Sequence, residues 1–206
     1  MAEIPPHTSG VCNSFVSLTS LTSVRCDGNA NDDSDISRSP TSYNKSHPLI
    51  GKWDLYYHLP HDKNWELSSY KIIMSEIDSI EKIIKLNTKI PECVVKYCML
   101  FIMRSGIRPQ WEDSKNRTGG AFSFKVINKQ VYELWKILVS CLCGESLFVN
   151  NEYSKHINGI TVSPKKNFCI VKIWLDCCDY QDPNMIIDIP NLQKQGCLFK
   201  KHEPEF

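Results

Sequence analysis

The sequence predicts an α+β fold in which an antiparallel sheet carries its helices on one face. Short segments rich in aromatic and aliphatic residues alternate with brief polar turns along residues 47–201, which is typical of antiparallel strands. Only two or three segments have the 3.6-residue apolar spacing of an amphipathic helix. Strands joined by short turns, together with so few helices, favour a sheet that is covered on one side.

Seven segments favour strands because they combine β-branched or aromatic residues with flanking turn residues. They span residues 52–59, 67–74, 97–104, 121–127, 160–162, 168–175 and 197–200. Two of them follow a glycine-containing dipeptide that is typical of turns, Gly119-Gly120 and Asn158-Gly159. We therefore expect most of the sheet to be built from neighbouring strands of the chain.

Two segments favour helices, and a third does so weakly. Residues 78–86 place three isoleucines on one helical face. Residues 128–142 repeat apolar residues with the same spacing and stop before Gly144, a natural helix end. The weak third segment, residues 183–194, is interrupted by Pro190.

The composition indicates one globular domain preceded by a polar tail. The chain has 206 residues and a formal net charge of +1, so it lacks the basic excess of proteins that bind long nucleic-acid duplexes. Residues 1–45 are rich in Ser, Thr, Asn and Asp, and Phe15 is the only aromatic residue before Tyr43. We expect this tail to be disordered and residues 46–206 to form the folded domain.

The cysteine pattern and the lack of a long apolar stretch indicate a cytoplasmic protein. Ten cysteines are present, but none forms a Cys-x-x-Cys pair, and we expect reduced, mostly core-filling thiols rather than a disulfide framework. No secretory signal is visible, and no segment approaches the roughly 20 apolar residues of a membrane span. We expect a monomer without membrane contact.

A tryptophan beside a carboxylate in a polar loop is the strongest functional signal. Trp111 and Glu112 lie within residues 108–120, a stretch punctuated by proline and glycine. The indole can stack on a flat ring while the carboxylate accepts hydrogen bonds from the ring's edge, and guanine offers such an edge. If the guanine is methylated at N7 it carries positive charge, and stacking on indole gains a cation–π contribution.

The order of these aromatic residues resembles that of the eukaryotic initiation factor 4E family, over about residues 43–174. The matching blocks are His47-Pro48-Leu49-x-x-x-Trp53, Lys63-Asn64-Trp65, Gly106-Ile107-x-Pro109-x-Trp111-Glu112-Asp113-x-Lys115-Asn116 with Gly119-Gly120 following, Leu142-x-Gly144-Glu145-Ser146, and Ile173-Trp174. The resemblance implies a curved antiparallel sheet of about eight strands backed by three helices on its convex face. It also implies a non-enzymatic, cofactor-free protein that binds the 7-methylguanosine cap of messenger RNA.

The resemblance assigns a role to each residue that would read the base. By position, Trp65 and Trp111 would sandwich the methylated guanine, Glu112 would accept bonds from its N1–H and 2-amino groups, and Trp174 would face the N7-methyl. Without the resemblance, each has a simpler interpretation. Trp65 is as compatible with a packed loop anchor, Trp174 with a core position in a strand, and Glu112 with a surface acid.

The cations expected at the cap's phosphates are only partly present. Lys165 stands where the family has an arginine, and Lys166 is adjacent. Ala121, Asn167 and Ile170 stand where the family commonly has basic residues. Other cations considered for this role are Lys115, Arg117, Lys200 and Lys201. Without the resemblance, the simpler interpretation is that Lys165 and Lys166 lie in a turn and are exposed to solvent.

A second family site, on the convex side, takes a helical motif from scaffold factor 4G or from repressor proteins. The candidate residues here are His47, Pro48, Leu49, Ile80, Ile84 and Gly144. The family usually has a tryptophan at the position of Ile84, and Lys136 and Ser140 replace apolar residues. The sequence therefore predicts weakened binding of this partner or an altered partner.

Three functional hypotheses follow. The first is a cap-binding factor that recruits messenger RNA for translation initiation, and the second is a cap-binding repressor or specialised paralogue with altered scaffold binding. The third is a cysteine-dependent hydrolase, suggested only by the abundance of cysteine and histidine. A metal site at His58-x-x-His61 lacks a second ligand pair, and Trp53 and Trp135 are expected in the core.

Overall fold

The computed structural model describes residues 46–203 as one sheet with helices on one side. The sheet has seven strands, β1 Pro48–His58, β2 Lys71–Ser79, β3 Met99–Arg104, β4 Gly120–Ile127, β5 Ile157–Pro164, β6 Phe168–Leu175 and β7 Leu198–Lys201. Their order is β2-β1-β3-β5-β6-β4-β7, and every neighbouring pair is antiparallel. The predicted disordered tail, residues 1–45, lies outside the described residues.

Three α-helices are present in the described part, α1 Ile80–Lys89, α2 Glu92–Tyr97 and α3 Val131–Cys143. The Ser79 hydroxyl caps α1 by accepting a hydrogen bond from Lys82 N at 3.4 Å. The predicted α+β class, with a curved antiparallel sheet backed by helices, is confirmed. The described sheet has one strand fewer than the eight or so expected. No helix within residues 46–203 is long and apolar enough to cross a membrane.

Side chains alternate between the two faces of β3, and this alternation separates two apolar clusters. Leu100 and Ile102 belong to the main core, which also holds the fully buried Trp53 and Trp135. Both tryptophans are therefore core residues, as predicted. Phe101, with Met103, joins a smaller cluster on the opposite face. The helices cover the first face and leave the second face without helical cover.

Two sequence predictions are wrong in detail. The helix expected over residues 183–194 is a single 3-10 turn, Pro183–Met185, because Pro190 lacks the N–H that a helix needs and Asn191 has a positive φ of 71°. The strand expected from residue 67 begins only at Lys71, after a 3-10 turn. α2 was not predicted, since six residues are too few to show a helical period.

An ion pair fastens the end of β3 to the end of α3. Arg104 Nη1 donates to Glu145 Oε1 at 2.7 Å, while Arg104 Nε and Nη2 donate to the carbonyls of Ile157 and Ser154 at 2.8 and 3.0 Å. Both charged side chains are mostly buried. Their hydrogen bonds satisfy the guanidinium inside the protein and fix the start of the loop that follows β3.

Candidate functional site

A cleft of about 390 Å³ opens on the concave face of the sheet. It is lined by Trp65, Tyr70, Met99, Phe101, Pro109, Gln110, Trp111, Glu112, Thr161, Ser163, Lys165, Ile170, Lys172 and Trp174. These residues come from the β1–β2 and β3–β4 loops, the β5–β6 turn, and strands β3, β5 and β6. We call this site the concave cleft.

Trp65 reaches the cleft from the β1–β2 loop and rests on a histidine. The buried His58 ring lies parallel to the indole, with 1° between the planes and 4.4 Å between the centroids. His58 Nε2 contacts the Asn64 carbonyl oxygen at 2.8 Å. The Ser69 hydroxyl donates to the same carbonyl at 2.6 Å. One face of the indole is thus packed, while Trp65 as a whole stays 52% exposed.

The loop that carries Trp111 and Glu112 is organised by Asp113. Its carboxylate accepts hydrogen bonds from Arg108 N and Nε, both at 3.1 Å, and from Lys115 N at 2.9 Å. Burial raises the pKa of Asp113, but these hydrogen bonds and the Arg108 charge together hold it below its ordinary value. The aspartate therefore stays ionised and ties the two ends of the turn to one point.

A chain of buried amides completes the loop. Asn116 Nδ2 donates to the carbonyls of Arg108 and Gln110 at 3.1 and 2.8 Å. Asn158 Nδ2, on β5, donates to Asn116 Oδ1 at 2.9 Å. The loop returns to β4 through Gly119, where a Cβ would collide with the carbonyl oxygen of Leu175 and only glycine fits. The loop is therefore attached to the sheet at several points.

A side-chain hydrogen bond joins the two tryptophan-bearing loops. Gln110 Nε2 donates to the Trp65 carbonyl oxygen at 2.8 Å. Trp111, the next residue, packs against the concave-face cluster that contains Phe101 and Trp174. The bond from Gln110 therefore connects the backbone of the β1–β2 loop to the loop that carries Trp111.

Glu112 is exposed and places a negative charge in the cleft. Burial raises the pKa of Tyr70 to about 12, and the nearby charge of Glu112 adds to this shift. The phenol of Tyr70 therefore stays protonated at neutral pH. The described cleft thus presents an acceptor-only carboxylate beside aromatic surfaces.

Trp174 forms the back of the cleft. It is 7% exposed, and its Nε1–H donates to Thr161 Oγ1 at 2.8 Å, which fixes the indole's orientation. The His202 ring packs on it with 4.7 Å between centroids, and Asn116 O lies 2.8 Å from His202 Nδ1. Burial lowers the pKa of His202, and the charge of Lys172 acts in the same direction.

The cations at the cleft differ from those expected. Lys165 lines the cleft from the β5–β6 turn, whereas Lys166 is exposed beside it and is not a lining residue. Lys172 also lines the cleft and was missed by the sequence analysis. Strand alternation could have found it, because Lys172 and Trp174 are two residues apart and share a face. No comparable pattern in the sequence indicates that Tyr70 and Gln110 line the cleft.

A second depression of about 640 Å³ lies on the convex side, between α1 and α3. It is lined by Leu49, Ile80, Ile83, Ile84, Asn87, Thr88, Tyr132, Lys136, Ser140 and Gly144. We call it the convex groove. Asn87 Nδ2 crosses it to Ser140 Oγ at 3.2 Å and to Lys136 O at 3.3 Å. Polar groups therefore interrupt its apolar surface.

His47 and Pro48 adjoin this groove without lining it. The Glu81 carboxylate accepts hydrogen bonds from His47 N at 3.2 Å and lies 2.7 Å from His47 Nδ1. Its bond with the His47 side chain is the main reason that the pKa of Glu81 falls to about 2. Ile80 N donates to the His47 carbonyl at 3.0 Å. These contacts hold the start of β1 against the first turn of α1.

The thiols of the described part do not support the hydrolase hypothesis. All eight cysteines within residues 46–203 are free. Burial raises the pKa of six of them, Cys98, Cys141, Cys143, Cys169, Cys177 and Cys197. A nucleophilic cysteine needs the opposite shift.

One cluster in residues 46–203 has metal-ligand chemistry. The donor atoms of His156, Asp176 and Cys177 lie within 4.8 Å of one another. His156 Nδ1 is 3.0 Å from Asp176 Oδ1, and this hydrogen bond accounts for their proximity. With three ligands the cluster falls short of a structural zinc site. Its contacts join the 3-10 turn Asn151–His156 to the end of β6. His58, from the metal pattern considered above, is buried under Trp65.

Sequence comparison identifies relatives among translation factors. The eukaryotic translation initiation factor 4E of Candida glabrata is 31% identical over 138 residues, which cover 65% of this chain and 65% of the relative. Factor 4E-2 of Schizosaccharomyces pombe is 27% identical over 166 residues, covering 78% of this chain and 63% of the relative. The matches thus span slightly less than two thirds of these relatives' length.

Structural comparison gives the same result. The complex of C. elegans eIF4E-3 with the 4E-binding protein Mextli and a cap analog aligns with a TM-score of 0.57 at 27% identity, covering 65% of this chain and 76% of that chain. Ascaris suum eIF4E-3 with m7G cap aligns with a TM-score of 0.57 at 26% identity, covering 66% and 76%. Residues 48–202 match the family model for eukaryotic initiation factor 4E. Because this match includes well over half of the sequence, the chain belongs to the eukaryotic initiation factor 4E family.

Proposed function

We propose that this protein binds the 7-methylguanosine 5′ cap of messenger RNA in the concave cleft and recruits the messenger for translation initiation. The observation that carries the proposal is the meeting of Trp65, Trp111 and Glu112 at one cleft. The Gln110 bond to the Trp65 carbonyl supports a fixed separation of the two indoles. Relatives with a cap analog or m7G cap in their solved structures have the same fold.

The base would be held between the two indoles. Stacking on an aromatic side chain contributes about 1–3 kcal/mol per base in nucleic-acid sites. An N7-methylated guanine is cationic, and cation–π attraction adds up to about 2 kcal/mol when the cation is desolvated. This second contribution is absent for unmethylated guanine, so the pair of tryptophans would select the methylated base.

Glu112 would select guanine over adenine. Its carboxylate can accept two hydrogen bonds, from the guanine N1–H and the 2-amino group. Adenine has an acceptor at N1, so the same carboxylate would face a lone pair. Hydrogen bonds to a charged group contribute about 1.5–3 kcal/mol. Trp174, fixed by its bond to Thr161, would close the cleft beside the N7-methyl.

Binding to RNA with different 5′ ends tests this proposal. Short transcripts with a 7-methylguanosine cap, an unmethylated guanosine cap and a 5′ triphosphate are compared for retention by the full chain. We expect retention of the methylated transcript alone, and release by free 7-methyl-GDP but not by GDP. Equal retention of all three would contradict the proposal, because it would show non-specific binding to the RNA chain.

We further propose that the convex groove binds a helical motif of a scaffold factor 4G-type protein or a repressor. A solved schistosome relative is described as complexed with m7GpppG and 4E-BP, and it aligns with a TM-score of 0.58 at 25% identity. The groove is apolar at Leu49, Ile80 and Ile84, which suits one face of an amphipathic helix. Both proposed functions are compatible with a cytoplasmic, monomeric protein that needs no cofactor.

One observation favours a second candidate function, a cap-binding repressor or specialised paralogue. Asn87, Lys136 and Ser140 make the convex groove partly polar, which weakens burial of an apolar helix face. A pull-down with a scaffold-type motif peptide distinguishes the two functions. Firm binding that a groove substitution abolishes would support recruitment, whereas absence of binding by a cap-competent chain would support the repressor.

A further inference from the structure

A groove of about 410 Å³ adjoins the concave cleft at the end of the sheet where β6 begins. Its lining includes Lys125, Ile127, Asn167, Phe168, Gln193 and Gln195. Lys125 pairs with Ile170 across β4 and β6, and Ile170 lines the concave cleft. Directly opposite residues of an antiparallel pair share a face of the sheet. The two sites therefore form one continuous surface, and we call this second part the amide groove.

The alternation of side chains along β4 and β6 places the amide groove on the concave face. Val126 and Cys169 belong to the main core under the helices. Their neighbours Lys125 and Phe168 therefore point to the opposite face, as Trp174 does. Phe168 and Trp174 are six residues apart on β6, or about 20 Å along the strand. A ligand that begins beside Trp174 reaches the groove only if it extends along the sheet.

The amide groove combines a flat ring, apolar surface and a cation. Lys125 Nζ lies 4.6 Å from the centroid of the Phe168 ring. Ile127 is 60% exposed beside them. None of the described residues that line the groove is acidic. Aromatic surface next to a positive charge is what single-stranded nucleic acid requires, since its bases stack and its phosphates are anionic.

Tight turns of residues 189–192 and 194–197 hold Gln193 and Gln195 at the groove. In each turn the N–H of the fourth residue donates to the carbonyl of the first, at 3.1 and 3.0 Å. The third residues, an asparagine and a glycine, have φ angles of 71° and 80°, which are typical of type II turns. Leu192, beside Gln193, is buried in the main core. The two glutamines are therefore carried by a segment that is anchored to the domain.

We propose that the amide groove binds the first transcribed nucleotides of the capped messenger, with a base against Phe168 and a phosphate beside Lys125. The proposal rests on the proposed cap-binding function and extends it beyond the cap. Unpaired RNA bases stack on aromatic side chains and expose edges that can form hydrogen bonds. The amides of Asn167, Gln193 and Gln195 each offer both donors and an acceptor. They can therefore meet any of the four bases, as a site for messengers of varied sequence requires.

Affinities of the full chain for 7-methyl-GDP and for capped single-stranded RNA test this proposal by fluorescence anisotropy. In the wild type, a capped RNA of about six nucleotides should bind about 10-fold more tightly than 7-methyl-GDP, because it gains a stacked base and a phosphate contact. Phe168→Ala should remove most of this gain and change the affinity for 7-methyl-GDP by less than about 2-fold, since that ligand ends before the groove. Phe168→Tyr keeps a flat ring and should retain the gain.

Other variants separate the groove from a general effect of charge or exposed aromatic surface. Lys125→Ala should lower the affinity for capped RNA by about 3-fold and make it less sensitive to salt. Lys129→Ala, four residues along the chain, removes an exposed lysine outside the groove and should behave as wild type. Tyr97→Ala removes an exposed aromatic residue of α2 and should also behave as wild type. Ile127→Glu places a negative charge at an exposed position of the groove, so it should weaken capped-RNA binding in a folded protein.

The outcomes distinguish failure of this proposal from failure of cap binding. Equal affinities of the wild type for 7-methyl-GDP and capped RNA would overturn the groove assignment alone. An unchanged gain in Phe168→Ala, or equal losses in Lys125→Ala and Lys129→Ala, would also overturn it. If the wild type does not bind 7-methyl-GDP, the proposed function itself is wrong.

Discussion

The concave cleft and the convex groove differ in how their residues are held and in what they present. In the cleft, hydrogen bonds hold lining residues in place, from Gln110 to the Trp65 carbonyl and from Trp174 to Thr161. In the groove, hydrogen bonds run across the surface itself, from Asn87 to Ser140. The main core separates the two sites. Either surface can therefore change without disturbing the other.

The two sites also differ in how closely they match the residues expected for the family. The cleft has a tryptophan or carboxylate at each position expected to read the base. Relative to the expected family pattern, the groove has a smaller apolar residue at Ile84 and polar residues at Lys136 and Ser140. A ligand whose chemistry is invariant requires constant residues, whereas a protein partner can change together with its groove. The variants below alter one site at a time.

The largest effect is expected from Trp111→Ala. Loss of one stacking face and its cation–π contribution removes about 3 kcal/mol, or roughly 100-fold in affinity for 7-methyl-GDP. Fluorescence titration and thermal unfolding measure the two consequences. The loop is held by Asp113 and Asn116, so we expect the variant to remain folded. Global unfolding would instead identify Trp111 as a core residue.

Glu112→Gln should produce the next largest loss. The amide is isosteric but neutral and directs one N–H group toward the base edge, so affinity for 7-methyl-GDP should fall by about 10- to 50-fold. The matched control is Glu66→Gln, which neutralises an exposed acid next to Trp65 outside the lining of the cleft. Similar losses in both variants would mean that net charge, rather than guanine recognition, determines affinity.

Restoring apolar groups should strengthen the convex groove. Lys136→Leu combined with Ser140→Leu adds apolar contact and removes the bond from Asn87 to Ser140, so affinity for a helical motif peptide should rise by about 10-fold. Cap affinity should stay constant, because the core lies between the two sites. A change in 7-methyl-GDP affinity in this variant would contradict their independence.

A smaller effect is expected at His58, which supports Trp65 from below. Removing the stacked ring in His58→Ala forfeits about 0.5–1.5 kcal/mol of aromatic contact and frees the indole, lowering cap affinity by about 2- to 10-fold. His58→Phe keeps a flat ring and should restore most of the affinity. If His58→Phe binds as poorly as His58→Ala, the hydrogen bond to Asn64, rather than the stack, positions Trp65.

The last effect is on the stability of the loop rather than on ligand affinity, and it has a defined pH dependence. Asp113→Asn should lower the free energy of unfolding by about 1–2 kcal/mol at pH 7, since its hydrogen bonds lose their charged acceptor. The folded-state pKa of Asp113 is lowered, so its contribution is complete above the unfolded pKa and lost as pH falls through the folded value. Denaturant unfolding of both proteins should therefore converge in acid. A constant difference from pH 7 into acid would contradict the ionised assignment.

Local patterns in the sequence predicted several of the residues that line the concave cleft. Trp111 and Glu112 were recognisable because proline and glycine mark their segment as a loop, and the family resemblance placed Trp65 and Trp174 beside them. His58 was assigned to a strand, but its contact with Trp65 depends on how the β1–β2 loop folds back. The spacing of apolar residues along the sequence does not indicate how this loop folds.

The positions of the other lysines and of the polar groups in the convex groove depend on contacts between residues far apart in the sequence. Lys172 follows from alternation with Trp174, whereas the position of Lys200 depends on the pairing of β4 with β7. The contact between Asn87 and Ser140 depends on the packing of α1 against α3. These contacts join residues that are far apart in sequence, so a local reading of the chain could list them only as possibilities.

Tryptophan fluorescence during titration with 7-methyl-GDP and with GDP tests the central claim most directly. Our account predicts saturable quenching by the methylated nucleotide, because the base stacks between Trp65 and Trp111, and an affinity for GDP at least about 10-fold weaker, because the cation–π contribution is lost. Absence of saturable quenching, or equal affinity for the two nucleotides, would contradict it.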